Sequence, residues 1–137
     1  MMKHEYKFRG WDAIGQKGWV YGDLVHNQKV TATGLEPRVM VGGYEVVPES
    51  VGLYTEKKDC DGREIYEGDI LDATVSHYVL GGYVEEDYIL EVMLIEGTFM
   101  AEYTKEGEER GWDLFWLCDN DEEVKVIGTV FEQNREK

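Results

Sequence analysis

The chain has 137 residues, 42% of them hydrophobic, with four Trp, nine Tyr and four Phe, which predicts one compact domain with room for a small subdomain and excludes wholesale disorder. Net charge is −15 and unevenly spread: residues 1–66 hold 10 acids and 9 bases, residues 67–137 hold 19 acids and 5 bases. The acidic half repels phosphate backbones, so it argues against direct nucleic-acid binding and favours solvation, cations or a basic protein partner.

Strand signals dominate from the start. Residues 5–12 alternate, placing Tyr6, Phe8 and Gly10 on one side before Trp11, and residues 17–22 form a second aromatic run. Ala13-Ile14-Gly15-Gln16 lies between them as a hairpin connection, so an N-terminal β-hairpin is expected. In residues 23–52 the apolar pieces are interrupted by Gly34, Pro37, Gly42-Gly43 and Pro48, which predicts short strands or irregular structure, a mobile insertion. Leu53-Tyr54-Thr55 leads into a polar turn at 57–62, where Asp61-Gly62 is a tight-turn signal, and then into Glu64-Ile65-Tyr66.

Gly68-Asp69 turns the chain into a β-prone segment, 69–79, with Leu71, Ala73 and Val75 on one face. Gly81-Gly82 breaks it before a strand within 83–95, and Glu96-Gly97-Thr98 turns that strand back into Phe99–Tyr103. Thr104 to Gly111 reads as an exposed polar loop, Trp112 to Leu117 as a compact aromatic strand or short helix, and 119–123 as a solvated acidic turn. A strand over 124–131 and a six-residue polar tail close the chain. Short strands at near-regular spacing predict a mainly β protein of barrel or sandwich type.

Chemistry-bearing patterns are weak. Asp59-Cys60-Asp61-Gly62 and Asp119-Asn120-Asp121-Glu122-Glu123 open like calcium loops, but counting from Asp59 the sixth and twelfth residues are Glu64 and Ile70, and counting from Asp119 they are Val124 and Val130. Neither run supplies the required Gly and Glu, so no metal is expected. His4, His26 and His77 lie far apart, and His77 reads as a sheet residue rather than a base. Ser50 and Ser76 stand in no nucleophile motif, and there is no phosphate-binding or dinucleotide glycine loop. Cys60 and Cys118 have no ligand-spaced partners and read as reduced thiols. No catalytic residue and no cofactor is therefore expected. Trp112, Phe115 and Trp116 suit either core packing or an interface. No run approaches the ~18 apolar residues that span a bilayer. Met1 to Glu5 contains no apolar leader either, so a cytoplasmic protein without a membrane partner is expected.

Three segments carry a resemblance. They are Lys7-Phe8-Arg9-Gly10-Trp11-Asp12, the string Asp59-Cys60-Asp61-Gly62-Arg63-Glu64-Ile65-Tyr66-Glu67-Gly68-Asp69-Ile70-Leu71, and Val126-Ile127-Gly128-Thr129-Val130-Phe131-Glu132. In order and spacing they resemble the YopX-like family of small phage and prophage proteins, and the central string is the specific one. The resemblance implies an intracellular product of a temperate phage of Gram-positive bacteria that self-associates, and it assigns no catalytic residue. In the string, Gly62 and Gly68 are expected to shape turns and Ile65, Tyr66 and Ile70 to fill core. Gly-Asp before a branched residue also suggests a small SH3-like β-barrel from residue 69 onward.

The expected organisation is thus an N-terminal β subdomain, 1–66, serving self-association, and an acidic small β-barrel, 67–137. The expected function is a non-enzymatic, homo-oligomeric accessory protein acting through protein contacts. The alternative is an acidic decoy that occupies a basic, nucleic-acid-binding protein of host or phage through Asp119, Asp121, Glu122 and Glu123. An enzyme with a site assembled from distant residues is the third reading.

Overall fold

In the computed structural model the described residues are 5–105, 108–121 and 123–135, with backbone alone described at 77, 104, 105 and 108. The chain forms two compact units, Met1–Tyr54 and Thr55–Lys137. The division falls upstream of the 66/67 boundary expected from sequence, because Ile65 is fully buried in the core of the second unit.

In the first unit, strands β1 (Phe8–Trp11) and β2 (Trp19–Gly22) pair antiparallel, with Trp11 opposite Trp19 and their rings edge-on at 5.3 Å. This is the expected hairpin. Asp12 closes its connection: its carboxylate accepts the N–H groups of Ile14 (3.1 Å) and Gly15 (3.0 Å). Residues 23–52, expected to be short strands or irregular structure, form strands longer than that expectation. They hold two eight-residue strands, β3 (Leu24–Thr31) and β4 (Gly34–Val41), and a short β5 (Tyr44–Glu45), in the order β3-β4-β5. Pro37 is tolerated because β5 pairs with β4 only at Met40 and Val41, leaving the edge at Pro37 without a strand to bond. Gly42 is required by space: its φ is +59°, and a Cβ there would lie 2.3 Å from the Tyr21 carbonyl oxygen. Val20, Val41 and Val46 form a small core against Phe8, Leu24, Val39 and Val51.

Strand β6 (Gly52–Lys58) begins in the first unit, where Gly52 and Leu53 pair with Arg9 and Phe8, and ends in the second, where it neighbours β7 (Glu64–Tyr66). The second unit is built on a five-stranded antiparallel sheet of β8 (Asp69–Val79), β9 (Gly82–Ile95), β10 (Thr98–Lys105), β11 (Glu108–Asp113) and β12 (Lys125–Thr129), in the order β11-β10-β9-β8-β12. The mainly β class is as expected. The expected small barrel is not what this sheet makes: β11 and β12 are its two edges, and no pairing among the described residues closes it.

Alternation along the strands puts Leu71, Ala73, Val75, Tyr88, Leu90, Val92 and Ala101 on one face, which packs on Leu114 and Leu117 of helix α1 (Leu114–Asn120) together with Val124 and Val126. Two other expectations are corrected here. Within the polar run expected to be a loop, Thr104 and Lys105 end β10 and pair with Glu109 and Glu108 of β11, since an edge strand needs backbone partners more than apolar side chains. The tail after β12 is helix α2 (Val130–Arg135), started by Thr129, whose hydroxyl accepts the Glu132 N–H and donates to the Glu132 carboxylate. This is a Thr N-cap, and the Thr129-Val130-Phe131-Glu132 spacing that favours it was already in the sequence.

Candidate functional site

The central string is a structural knot. Asp59 is buried, and its Oδ1 accepts the N–H groups of Asp61 (3.0 Å) and Arg63 (2.8 Å), while Oδ2 accepts the N–H of Val126 (3.0 Å), 67 residues away. Cys60 N–H donates to the Val124 carbonyl at 2.9 Å, so the 59–63 turn is tied to the start of β12 twice. Buried Thr55 donates to the Ile65 carbonyl (2.7 Å), and fully buried Asp69 accepts the Tyr66 N–H (2.7 Å). Gly68, at φ +93°, donates to Val92 and accepts from Val130, both at 2.9 Å. With Gly62 at φ +82° and Ile65, Tyr66 and Ile70 all buried, the expected division of the string into turn glycines and core residues is what the structure contains. Its two buried carboxylates, Asp59 and Asp69, serve the backbone, while Asp61 pairs with Lys125 and Glu64 accepts from the Tyr66 hydroxyl.

The acidic run after α1 is less available than its charge suggests. Asp113 caps α1, accepting the N–H groups of Phe115 (2.9 Å) and Trp116 (3.1 Å). Asp119 pairs with Lys57 at 3.2 Å, and the Lys57 ammonium also lies 5.4 Å from the centre of the Phe115 ring. Asp121 accepts the N–H of Thr74 (2.7 Å) with one oxygen and that of Glu123 (2.9 Å) with the other. Glu123 is exposed, and Glu122 lies outside the described residues. Two of the four expected contact residues are therefore held by intramolecular bonds.

A broader acidic surface lies on the sheet face opposite the core. Register places Asp72, Glu85, Asp87, Glu91, Glu102 and Glu109 on it. Glu91 stands directly opposite Glu102, and burial pushes the Glu91 carboxyl above its usual range. Lys125, opposite Asp72, lies 3.5 Å from Asp61.

The third surface is apolar. β8 and β9 pair through ten registered positions, from Ile70–Glu91 to Val79–Gly82. β12 pairs with β8 only as far as Asp72, and β10 reaches β9 only as far as Glu91. The hairpin thus runs on as an arm beyond both neighbours. Its end carries Tyr78 (86% exposed), Val79, Leu80 (106%) and Tyr83, with the Tyr78 and Tyr83 rings edge-on at 5.4 Å. Beside its base, Thr74, Ser76, Tyr83, Trp116, Asn120 and Asp121 line a cavity of about 210 Å³.

Other chemistry is engaged elsewhere. Tyr88 donates to Glu86 and accepts from Arg110 (2.6 Å). The Glu86 bond, followed by burial, holds its phenol above the usual range and keeps it protonated. Burial pushes the Cys118 thiol up to about 11, and desolvation with the Asp61 and Asp59 charges raises that of Cys60, so both stay thiols at neutral pH. In the first unit a cleft of about 440 Å³ is lined by Asp12, Lys17, Arg38, Tyr44 and Glu45 among others. Its groups already have partners: Glu45 binds Lys29 (2.9 Å), Arg38 binds Asn27 (2.6 Å), and Lys17 lies 5.2 Å from the centre of the Tyr44 ring. Among the described residues no group of three His, Cys, Asp or Glu is placed to hold a metal ion, and no helix is long and apolar enough to cross a membrane. The side chain of His77 and the whole of His4 lie outside the described residues.

The family model described as YopX protein matches residues 7–135, essentially the whole chain. The chain belongs to the YopX family. No curated protein matches it. All three segments that carried the resemblance fall inside that match, and in this YopX-family member they build strand β1, the Asp59 knot and the junction of β12 with α2.

Sequence reading of this YopX-family chain placed its candidate site on the densest acidic run and missed two surfaces. The acidic sheet face was missed because its carboxylates alternate along strands instead of adjoining; the spacing of Glu85, Asp87 and Glu91 was the available signal. The arm was missed because a β-prone segment reads as core until register shows that nothing covers it. Trp112 packs against Tyr88 at 4.9 Å, as core, whereas Phe115 and Trp116 face outward from α1, 41% and 46% exposed.

Proposed function

We propose that this YopX-family protein is a non-enzymatic phage or prophage accessory protein that works in the host cytoplasm through protein contacts, the first of them with copies of itself. The observation that supports it is the β8–β9 arm, whose exposed Tyr78, Val79, Leu80 and Tyr83 form an apolar end on an otherwise acidic unit. Exposed apolar surface in a highly charged protein marks a place for protein contact rather than for solvent. Sedimentation velocity over a wide concentration series tests it. Species well above the 15.8 kDa of one chain are expected, and a single monomeric species throughout would sink the reading.

A second reading is the acidic decoy. The sheet face bearing Asp72, Glu85, Asp87, Glu91, Glu102 and Glu109 favours it and is better suited to the role than the run Asp119, Asp121, Glu122 and Glu123. The decoy captures a basic protein at low salt and releases it at high salt. Neutralising Asp72, Asp87, Glu102 and Glu109 together should abolish the capture, and neutralising the run should weaken it less. Capture that survives both sets and is insensitive to salt rules the decoy out.

A further inference from the structure

We propose that the outer edge of β8, residues 75–79, pairs antiparallel with the same edge of a second copy of this chain and joins the two five-stranded sheets. This rests on the self-association reading above and assigns to it a surface and a geometry.

The edge is open in a specific way. Thr74 N–H points away from β9, since it donates to Asp121 on the outer side at 2.7 Å. In an antiparallel strand alternate residues direct both backbone groups to the same side. Ser76 and Tyr78 therefore direct their N–H and C=O outward as well. β12 ends its pairing at Asp72, and no strand among the described residues pairs with β8 on this side from 75 to 79. Asp121 satisfies the first position past the end of β12, and at the next two, Ser76 and Tyr78, no strand among the described residues pairs with the outer side.

Charge selects the occupant. Residues 73–84 contain no Asp, Glu, Lys or Arg, the longest such run in a chain of net charge −15. Two copies repel wherever their acidic surfaces meet, and this edge, itself uncharged although Glu85 and Asp87 lie one strand behind it, is where they can approach at reduced cost. An antiparallel pairing of β8 with itself has a two-fold axis. For an axis near Ser76 or Tyr78, the residues brought opposite one another come from this uncharged run. Thr74, Val75, Tyr78 and Val79 are all strand-favouring types. The devices that usually blunt an exposed edge, a lysine, a proline or an inward charge, are missing from 73–79. An extended peptide from an unrelated protein could use the same edge; that occupant does not require the run to be free of charge on both sides of a two-fold axis.

The test is amide hydrogen exchange on the wild-type protein at high and low concentration, with sedimentation velocity on the same samples. Paired, the outward Ser76 and Tyr78 amides are protected in the concentrated sample, and their exchange speeds up by about tenfold or more on dilution as the pair dissociates. The inward Val75 and Val79 amides, bonded to β9, keep their protection. Ser76→Lys places two like charges near the axis and should shift the assembly toward monomer with an unchanged circular dichroism spectrum. If the protein assembles but Ser76 and Tyr78 exchange at the same rate at both concentrations, the edge is not the contact, and self-association stands without it. A chain that is monomeric at every concentration overturns both.

Discussion

Asp12 in the first unit and Asp59 in the second each fold a carboxylate back over a turn. Asp12 accepts the N–H groups of Ile14 and Gly15, two and three residues on, and a backbone bond from Lys17, five residues on. Asp59 accepts two local N–H groups with one oxygen and reaches Val126, across 67 residues, with the other. The surroundings differ as well. Residues 1–54 hold 6 acids and 6 bases and are electrically neutral, whereas residues 55–137 hold 23 acids and 8 bases and carry the whole net charge. One turn device thus makes only local bonds in a neutral unit in one place. In the other it holds a strongly self-repelling unit together against its own charge. The lesson is that a local motif acquires global weight only when one of its atoms closes a long loop.

The largest test of that contrast is Asp59→Ala. It strips three backbone donors of their acceptor, one of them buried, and should destabilise the second unit by about 3 kcal/mol in denaturant unfolding. Asp12→Ala should leave the second unit's transition in place, and equal losses for the two variants would erase the distinction. Gly68→Ala comes next. Forcing a side chain into φ +93° at a residue bonded on both backbone groups should cost roughly 2 kcal/mol, read as a lowered midpoint of the second unit.

Added salt sharpens the electrical half of the comparison. Raising ionic strength screens the repulsion among 23 acids and should protect amides of the five-stranded sheet while leaving those of the first unit unchanged. The smallest effect is expected from Glu91→Gln. Removing one of two like charges set opposite across β9 and β10 should stabilise by about 0.5 kcal/mol at neutral pH. The pH dependences run in opposite directions. The Glu91 carboxyl is raised by burial, so its ionisation opposes folding, and this cost is relieved as pH falls through its folded-state pKa. Asp12 is lowered by the N–H groups of Gly15 and Ile14, so its contribution is present above the unfolded value and is lost as pH falls through the folded one. Acid titration of Glu91→Gln and Asp12→Asn should therefore flatten opposite slopes.

The mainly β class, the N-terminal hairpin and the string 59–71 were legible along the chain because each depends on neighbours in sequence: alternation at two-residue spacing, glycines where φ is positive, and Asp before a turn. Thr129 and Glu132 spelled their helix just as locally and could have been read the same way. Three matters were settled only by strands meeting across long separations. Asp121 and Asp119 look like free charge in sequence, but folding brings Thr74 and Lys57 to them. Glu85, Asp87, Glu91 and Glu102 become one surface only once β9 and β10 are in register. Residues 75–79 have the composition of buried strand, and whether an edge is covered depends on where β12 stops, which no residue within the run encodes. Local periodicity fixes which way each side chain points; the long-range register of the sheet fixes what it meets there.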